Sequence, residues 1–303
     1  MRTRGGCRRG RVADAGPRPR HIVRRPRPAV SRTHLRVAAA AGLVAAAALS
    51  ARASLRAQAA AARRTIGKPF GEHPHASDGV FKKKYGDRLH LLLVGDSIAA
   101  GLGATDKNET LGAHLARRIA QRTRRSVALR TVAVVGSETT MLAGQLATLE
   151  TAYRPDVAVI VVGGNDVIHR VPVSTSIEHL GRTIEALQEL GAVVVVGTCP
   201  DLSALTAVPR PLRTLGAIAS RQLAAAQFAE TERRGAIPVP LARVVGPFFA
   251  AQPDKMFAED RFHPSGAGYR RTAKALVGPI AAALGAEGSD SSAGIGPMAE
   301  QSG

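Results

Sequence analysis

The sequence has no tryptophan, and aromatic residues make up only 3% of its 303 positions. Platforms that stack single-stranded nucleic acid need aromatic side chains interleaved with basic ones, so no such surface is expected. Cysteine is nearly absent as well. Cys7 and Cys199 are the only two, which excludes a disulfide framework, and no Cys/His spacing fits a zinc site. No metal and no cofactor is expected. Cys7 falls in the basic tail and Cys199 just after an apolar run, on opposite sides of a membrane if the chain is anchored, so no bond between them is expected, and Cys199 reads as a small apolar residue near a sheet edge. Acidic residues are few, 23 against 42 basic ones, giving a formal charge of +19. That imbalance is local: residues 1–36 hold 12 Arg and one Asp, or +11 of the +19, leaving +8 for the rest. The high charge thus describes mainly one tail, and the folded part is not read as nucleic-acid binding. Val37 to Ser50, nearly all Ala, Val, Leu and Gly, is 14 residues long, short of the roughly 20 that a spanning helix needs.

These absences organise the chain. Residues 1–36, rich in Arg, Pro and Gly, read as a disordered tail. Residues 37–59 read as an apolar signal or membrane-anchor segment. The 14-residue run fits the length of a signal h-region, and Ala51-Arg52-Ala53 and Ala57-Gln58-Ala59 have the small-x-small form of cleavage sites. The Arg-rich flank would stay cytoplasmic. Export or membrane anchoring, with the folded domain outside the cytoplasm, is the expectation. A soluble Ala-rich helix on a cytoplasmic protein is the alternative. Residues 60–88 read as a linker, 89–285 as the folded domain, and 286–303 as a Gly/Ser-rich disordered tail.

Within 89–285 apolar runs alternate with helical periodicity, and no internal repeat is present. Strands are expected at Leu89–Gly95, Val127–Val135, Val157–Val162, Val193–Gly197 and, weakly, Ile237–Val239. Helices are expected at Thr110–Arg122, Met141–Thr151, Ser176–Leu190, Leu212–Arg233 and Gly266–Leu284. Nearly continuous apolar strands between helices predict an α/β fold, a three-layer α/β/α sandwich around a five-stranded parallel sheet with right-handed crossovers.

The chemistry gathers where those strands end. The run Leu91-Leu92-Leu93-Val94 stops at Gly95-Asp96-Ser97, which places Ser97 at the carboxyl edge of a strand and the start of a helix, where open α/β sheets bind ligands. Ser97 is a candidate nucleophile; a helix N-cap is the other reading. A nucleophilic serine needs a base, a carboxylate to orient it, and donors for the oxyanion. Asp260-Arg261-Phe262-His263 offers the first two, since a carboxylate three residues before a histidine can fold back onto Nδ1 and leave Nε2 for Ser97. Pro264 disfavours helix at His263 and suits the first turn of the helix that follows. A turn cap beside a surface histidine is the plainer reading of that run. Gly163-Gly164-Asn165-Asp166 ends a third strand and offers the Asn165 amide to an oxyanion. Val134-Val135-Gly136-Ser137 ends another, and a glycine lets a backbone N–H approach substrate closely. Asp166 reads as fixing the Asn165 turn. His169 is a candidate pocket residue that is more often solvated, and Asp201 is an alternative orienter of His263. His73 and His75 are too poorly placed to be ligands.

Four such blocks in this order resemble the SGNH hydrolases, also called the GDSL esterase/lipase family. The blocks are Gly95-Asp96-Ser97, Gly136, Gly163-Gly164-Asn165-Asp166 and Asp260-Arg261-Phe262-His263. The resemblance runs from about Leu89 to Leu284, with Ile98 where the family's name has Leu. No Gly-x-Ser-x-Gly elbow surrounds Ser97, which disfavours the standard α/β-hydrolase arrangement. The resemblance implies a flavodoxin-like SGNH hydrolase fold and a serine esterase with Ser97 as nucleophile, His263 as base and Asp260 as its orienter. It implies oxyanion donors from the Ser97 amide, the Gly136 amide and the Asn165 side chain. The expected substrate is a lipid or small acyl ester, lysophospholipids among them. The alternatives are a deacetylase or acyltransferase working on cell-envelope glycans, and a non-enzymatic envelope-binding module on the same fold.

Overall fold

The computed structural model describes residues 32–285 apart from Lys68 and Glu72. The Arg-rich residues 1–31, with Cys7, and the Gly/Ser-rich residues 286–303 lie outside the described residues. The chain divides into two compact units between Ala51 and Arg52. In the first, the described residues belong to helix α1 (Arg32–Ile66), where Val37, Leu43, Val44 and Leu49 are exposed. No helix among the described residues is long and apolar enough to cross a membrane.

The second unit carries six strands, β1 (Gly79–Phe81), β2 (Gly86–Gly95), β3 (Arg125–Thr131), β4 (Val157–Val161), β5 (Val193–Gly197) and β6 (Ile237–Val239). Its helices are the end of α1 and then α2 (Ser97–Ala100), α3 (Leu111–Thr123), α4 (Leu142–Leu146), α5 (Gly164–His169), α6 (Val173–Glu189), α7 (Leu212–Arg233), α8 (Leu241–Val244), α9 (Gly246–Ala251), α10 (Pro253–Met256) and α11 (Gly266–Ala283). The sheet order is β1-β3-β2-β4-β5-β6. All neighbours from β3 to β6 are parallel, which is the expected five-stranded core. The sixth strand is a correction of detail: β1 pairs antiparallel with β3 at the edge. It lies in the segment read as a linker because Gly-Val-Phe is too short to show a period and forms only by pairing with β3.

The strands are apolar because both faces are covered. Leu89, Leu91 and Leu93 of β2 pack with Leu111, Leu115 and Ile119 of α3 and with Tyr269 and Leu276 of α11. Leu92 and Val94 face the other way, onto Leu142 of α4 and Leu180 and Ile184 of α6. Caps set the helix starts: Thr110 Oγ1 accepts from the Ala113 amide at 3.2 Å and Ser265 Oγ from the Gly268 amide at 3.2 Å. The helix expected over Met141–Thr151 is shorter, since the Thr148 hydroxyl donates to the Gln145 carbonyl at 2.7 Å and closes the turn. The strand expected to reach Val135 ends at Thr131. Beyond it only isolated amides continue toward β2, Val132 to Leu93 O and Val134 to Gly95 O.

The chain leaves β2 for β3 on one side and then enters β4 on the other. The point where strand order reverses therefore lies between β2 and β4, the ligand-binding crevice of open α/β sheets. Ser97 follows β2 there and Asn165 follows β4.

Candidate active site

Ser97 is placed by a close approach of two strands. Gly95 has φ +140°, and a Cβ built on it would lie 1.9 Å from the Val161 carbonyl oxygen of β4. Only glycine fits this closely against the next strand. Asp96 then caps α2, its carboxylate accepting from the Ile98 amide at 2.9 Å. Asp96 is the N-cap; Ser97 is the first helical residue. Its amide is one of the donors that a helix start leaves free, and among the described residues it has no acceptor. Burial pushes the Asp96 carboxyl up to about 7, against the opposing pull of the Ile98 amide and of His263.

His263 reaches Ser97 from the far end of the chain. Its Nε2 lies 3.0 Å from Ser97 Oγ and its Nδ1 2.6 Å from Asp260 Oδ2. Asp260 Oδ1 also accepts from the Phe262 and His263 amides, both at 2.9 Å, while Arg261 takes the left-handed turn at φ +53°. Burial alone would raise the Asp260 pKa; the His263 imidazole and the two amides outweigh it and hold the carboxyl below its ordinary value. The loop closes on itself through a bridge between Phe257 and Pro264, with Ala258 donating to the His263 carbonyl at 2.8 Å. It is seated against Gly103, where a Cβ would come within 2.9 Å of His263 Cβ. Behind it the buried Tyr269 hydroxyl donates to the Leu102 carbonyl at 2.6 Å.

The loop after β3 and the turn after β4 meet beside Ser97. Asn165 Nδ2 donates to the Ser137 carbonyl at 3.0 Å, which fixes its amide and leaves one hydrogen for another acceptor. The Asp166 carboxylate turns inward to the Thr139 amide at 3.1 Å and the Ser176 hydroxyl at 2.6 Å, as expected of a residue that fixes the turn. Gly136 is exposed with φ +83°, and among the described residues its amide has no acceptor. Ser97, Asn165 and His263 line one open pocket. The remaining walls are mostly apolar, with Ile98, Leu205, Leu241, Val245, Phe249, Phe257 and Phe262. Gly136 does not line it.

Other candidates fall elsewhere. His169 pairs with Glu138 at 2.7 Å on the surface. Asp201 is at the pocket wall but binds Arg221, at 2.9 Å to Nη2, and not His263. Cys199 is buried and free, and burial pushes its thiol up. His73 and His75 are exposed, and no group of acidic, His or Cys residues among those described could hold a metal. Two buried glutamines went unread in the sequence. Gln145 binds Gly95 and Ser137, and Gln227 bridges the Cys199 amide and the Val162 carbonyl. Nothing in a helical run distinguishes such a glutamine from a solvated one. The pocket wall Leu241–Phe249 comes from short helices too brief to show a period.

Residues 93–271 match the GDSL-like lipase/acylhydrolase family. A GDSL-like esterase of Mycobacterium tuberculosis is 39% identical over 230 residues, 72% of this chain and 73% of that protein. Among solved structures, a lipase/acylhydrolase from Enterococcus faecalis aligns with a TM-score of 0.53 at 22% identity, over 64% of this chain and 96% of its own. A psychrotrophic esterase from Pseudoalteromonas sp. aligns with a TM-score of 0.51 at 17% identity, over 65% and 98%. The likeness to these two structures concerns the fold.

Proposed function

The chain belongs to the GDSL-like lipase/acylhydrolase family and is a carboxylic ester hydrolase; from that premise we propose a serine esterase that works through Ser97, His263 and Asp260. The observation that carries this reading is the unbroken contact Asp260–His263–Ser97, at 2.6 and 3.0 Å. Ser97 Oγ attacks the ester carbonyl carbon while His263 Nε2 takes its proton. Asp260, held ionised by its own partners, keeps Nδ1 protonated and stabilises the imidazolium. The developing oxyanion is met by the Ser97 and Gly136 amides and the remaining Asn165 hydrogen. His263 then protonates the leaving alcohol. Water, deprotonated by the same nitrogen, releases the acyl group.

The apolar pocket walls favour a hydrocarbon acyl chain, so lipid or small acyl esters are the proposed substrates, ahead of acetylated envelope glycans. Profiling hydrolysis of p-nitrophenyl esters from acetyl to palmitoyl tests this, with Ser97→Ala as control. Turnover that peaks beyond acetyl and vanishes in Ser97→Ala is the expected result. Turnover confined to acetyl favours the deacetylase, and a folded, active Ser97→Ala removes the nucleophile.

Residues 37–59, with the basic flank before them, are proposed to direct export or membrane anchoring. Fractionation that finds the full-length protein wholly in the cytosol counts against this, and a product starting near Ser54 or Ala60 indicates cleavage.

A further inference from the structure

Gly95 presents its amide and carbonyl on the side of β2 that faces β3, but the β2–β3 pairing ends at Leu93 and Thr131. The Gly95 carbonyl still accepts from the Val134 amide at 3.1 Å. The Gly95 amide takes the Gln145 Oε1 at 2.9 Å in place of a strand carbonyl. Gln145 is 4% exposed. Its Nε2 donates both hydrogens, to the Gly95 carbonyl at 2.7 Å and to the Ser137 hydroxyl at 3.0 Å. Ser137 in turn accepts from Asn165 Nδ2 through its own carbonyl at 3.0 Å. One hydrogen-bond chain thus runs Gly95–Gln145–Ser137–Asn165. Gly95 lies two residues before Ser97, and Ser137 follows Gly136.

We propose that Gln145 is a positioning residue for the oxyanion hole, fixing the mutual spacing of the Ser97 amide, the Gly136 amide and the Asn165 side chain through Gly95 and Ser137. The task needs a group that accepts once and donates twice, and a buried primary amide supplies that set. A carboxylate would keep the bond from the Gly95 amide, lose both donors and face the Gly95 carbonyl with charge. An apolar residue of the same length would leave the Gly95 amide unpaired in the interior. Neither Gln145 nor Ser137 lines the pocket. Misplacing a donor in the oxyanion hole acts on the charge of the transition state, so its loss appears in kcat.

The inference rests on the esterase reading above, and the experiment separates the two. Wild type, Ser97→Ala, Gln145→Glu and Ser137→Ala are compared on one p-nitrophenyl ester for kcat, KM and thermal unfolding. Gln145→Glu should lower kcat by about 100-fold per folded molecule with KM within about twofold, the scale for a misplaced catalytic group. Ser137→Ala keeps both Gly95 bonds and cuts only the link to the Gly136 loop. It should fold and lose about tenfold in kcat, so the inference stays open to refutation if Gln145→Glu does not fold. If both variants melt lower but turn over like wild type per folded molecule, Gln145 is only a strand-end brace and the inference falls. If Ser97→Ala retains turnover, the esterase reading falls first and takes this one with it.

Discussion

Ser97 and Asn165 form the strand-edge half of the site, and Asp260 and His263 form the loop half; the two are held by different means. The strand-edge half is tied by buried side chains to other elements: Gln145 of α4 to Gly95 and Ser137, Asp166 beside Asn165 to Thr139 and Ser176, and Gln227 of α7 to Cys199 and Val162. The loop half is held mainly by itself. Asp260 binds amides two and three residues on, Ala258 meets His263, and Phe257 bridges Pro264. Its external seat is packing at Gly103. The half proposed to carry the oxyanion donors is built into the sheet core, and the half proposed to move the proton is a compact local turn set against it.

Breaking the proton half while keeping its shape should have the largest effect. In Asp260→Asn the side-chain oxygen can still accept from the Phe262 and His263 amides, so the loop should stand, but the Nδ1 contact no longer favours the productive tautomer. A fall in kcat of about 10⁴-fold is expected, the scale of the equivalent change in a serine triad. A fall of less than tenfold in the folded variant would show that this carboxylate does not orient the base. The same variant probes stability. The Asp260 pKa is depressed in the folded state, so its contribution is present above the ordinary carboxylate value of 3.8 and is lost as pH falls through the folded pKa. The melting-temperature gap between wild type and Asp260→Asn should therefore narrow in acid.

On the strand-edge half, Asn165→Ala should lower kcat by about 10²- to 10³-fold with KM nearly unchanged, the range for one lost oxyanion donor. If kcat per folded molecule holds while the melting temperature drops, Asn165 is a turn residue and the oxyanion rests on the two amides.

Gly103→Ala sharpens the comparison because it presses on the loop half alone. Its φ of +96° strains any side chain, and the new Cβ would meet the Pro264 carbonyl oxygen at 2.8 Å and His263 Cβ at 2.9 Å. Shifting the imbidazole-bearing loop by a fraction of an ångström should reduce kcat by about 10- to 100-fold. Wild-type kcat in this variant would mean that the loop yields freely and that the seat at Gly103 does not position His263.

The smallest effect on turnover is expected from Asp96→Asn, and its signature is stability. A folded pKa raised from 3.8 to about 7 means that the native state holds a proton that the unfolded chain releases. Stability is therefore lost as pH rises from about 4 to about 7, and the full cost persists above that. The Asn variant, which keeps the cap oxygen, should gain in melting temperature over wild type as pH rises to about 7 and then hold that gain. Parallel curves across this window would show that Asp96 is not strained by ionisation.

The contrast between the halves also explains what could be read without coordinates. Asp260 and His263 are legible because their contact is local: three residues and one turn suffice. The apolar runs ending at Gly95 and Val162 are legible because burial on both faces leaves a continuous hydrophobic signal. Strand β1 left none, and neither did Gln145, Gln227 or the pocket wall at Leu241, Val245 and Phe249. A buried amide in a helix looks in sequence like a solvated one, and helices of four to six residues are shorter than the period they would have to show. Asp201 is only a weaker alternative to Asp260 in the sequence, and the structure pairs it with Arg221 while Asp260 holds His263 Nδ1.

Sequence by itself thus determined the layered α/β core, the strand ends where reactive groups gather, and the local turn that joins Asp260 to His263, because each follows from periodicity or from neighbours within a few residues. Tertiary structure alone decided that Nε2 of His263 stands 3.0 Å from Ser97 across 166 residues of chain, that the Gly136 loop and the Asn165 turn share a hydrogen bond, and that the pocket beside them is apolar. Those depend on which elements the sheet order brings side by side, and long-range contact leaves no periodic trace in the chain.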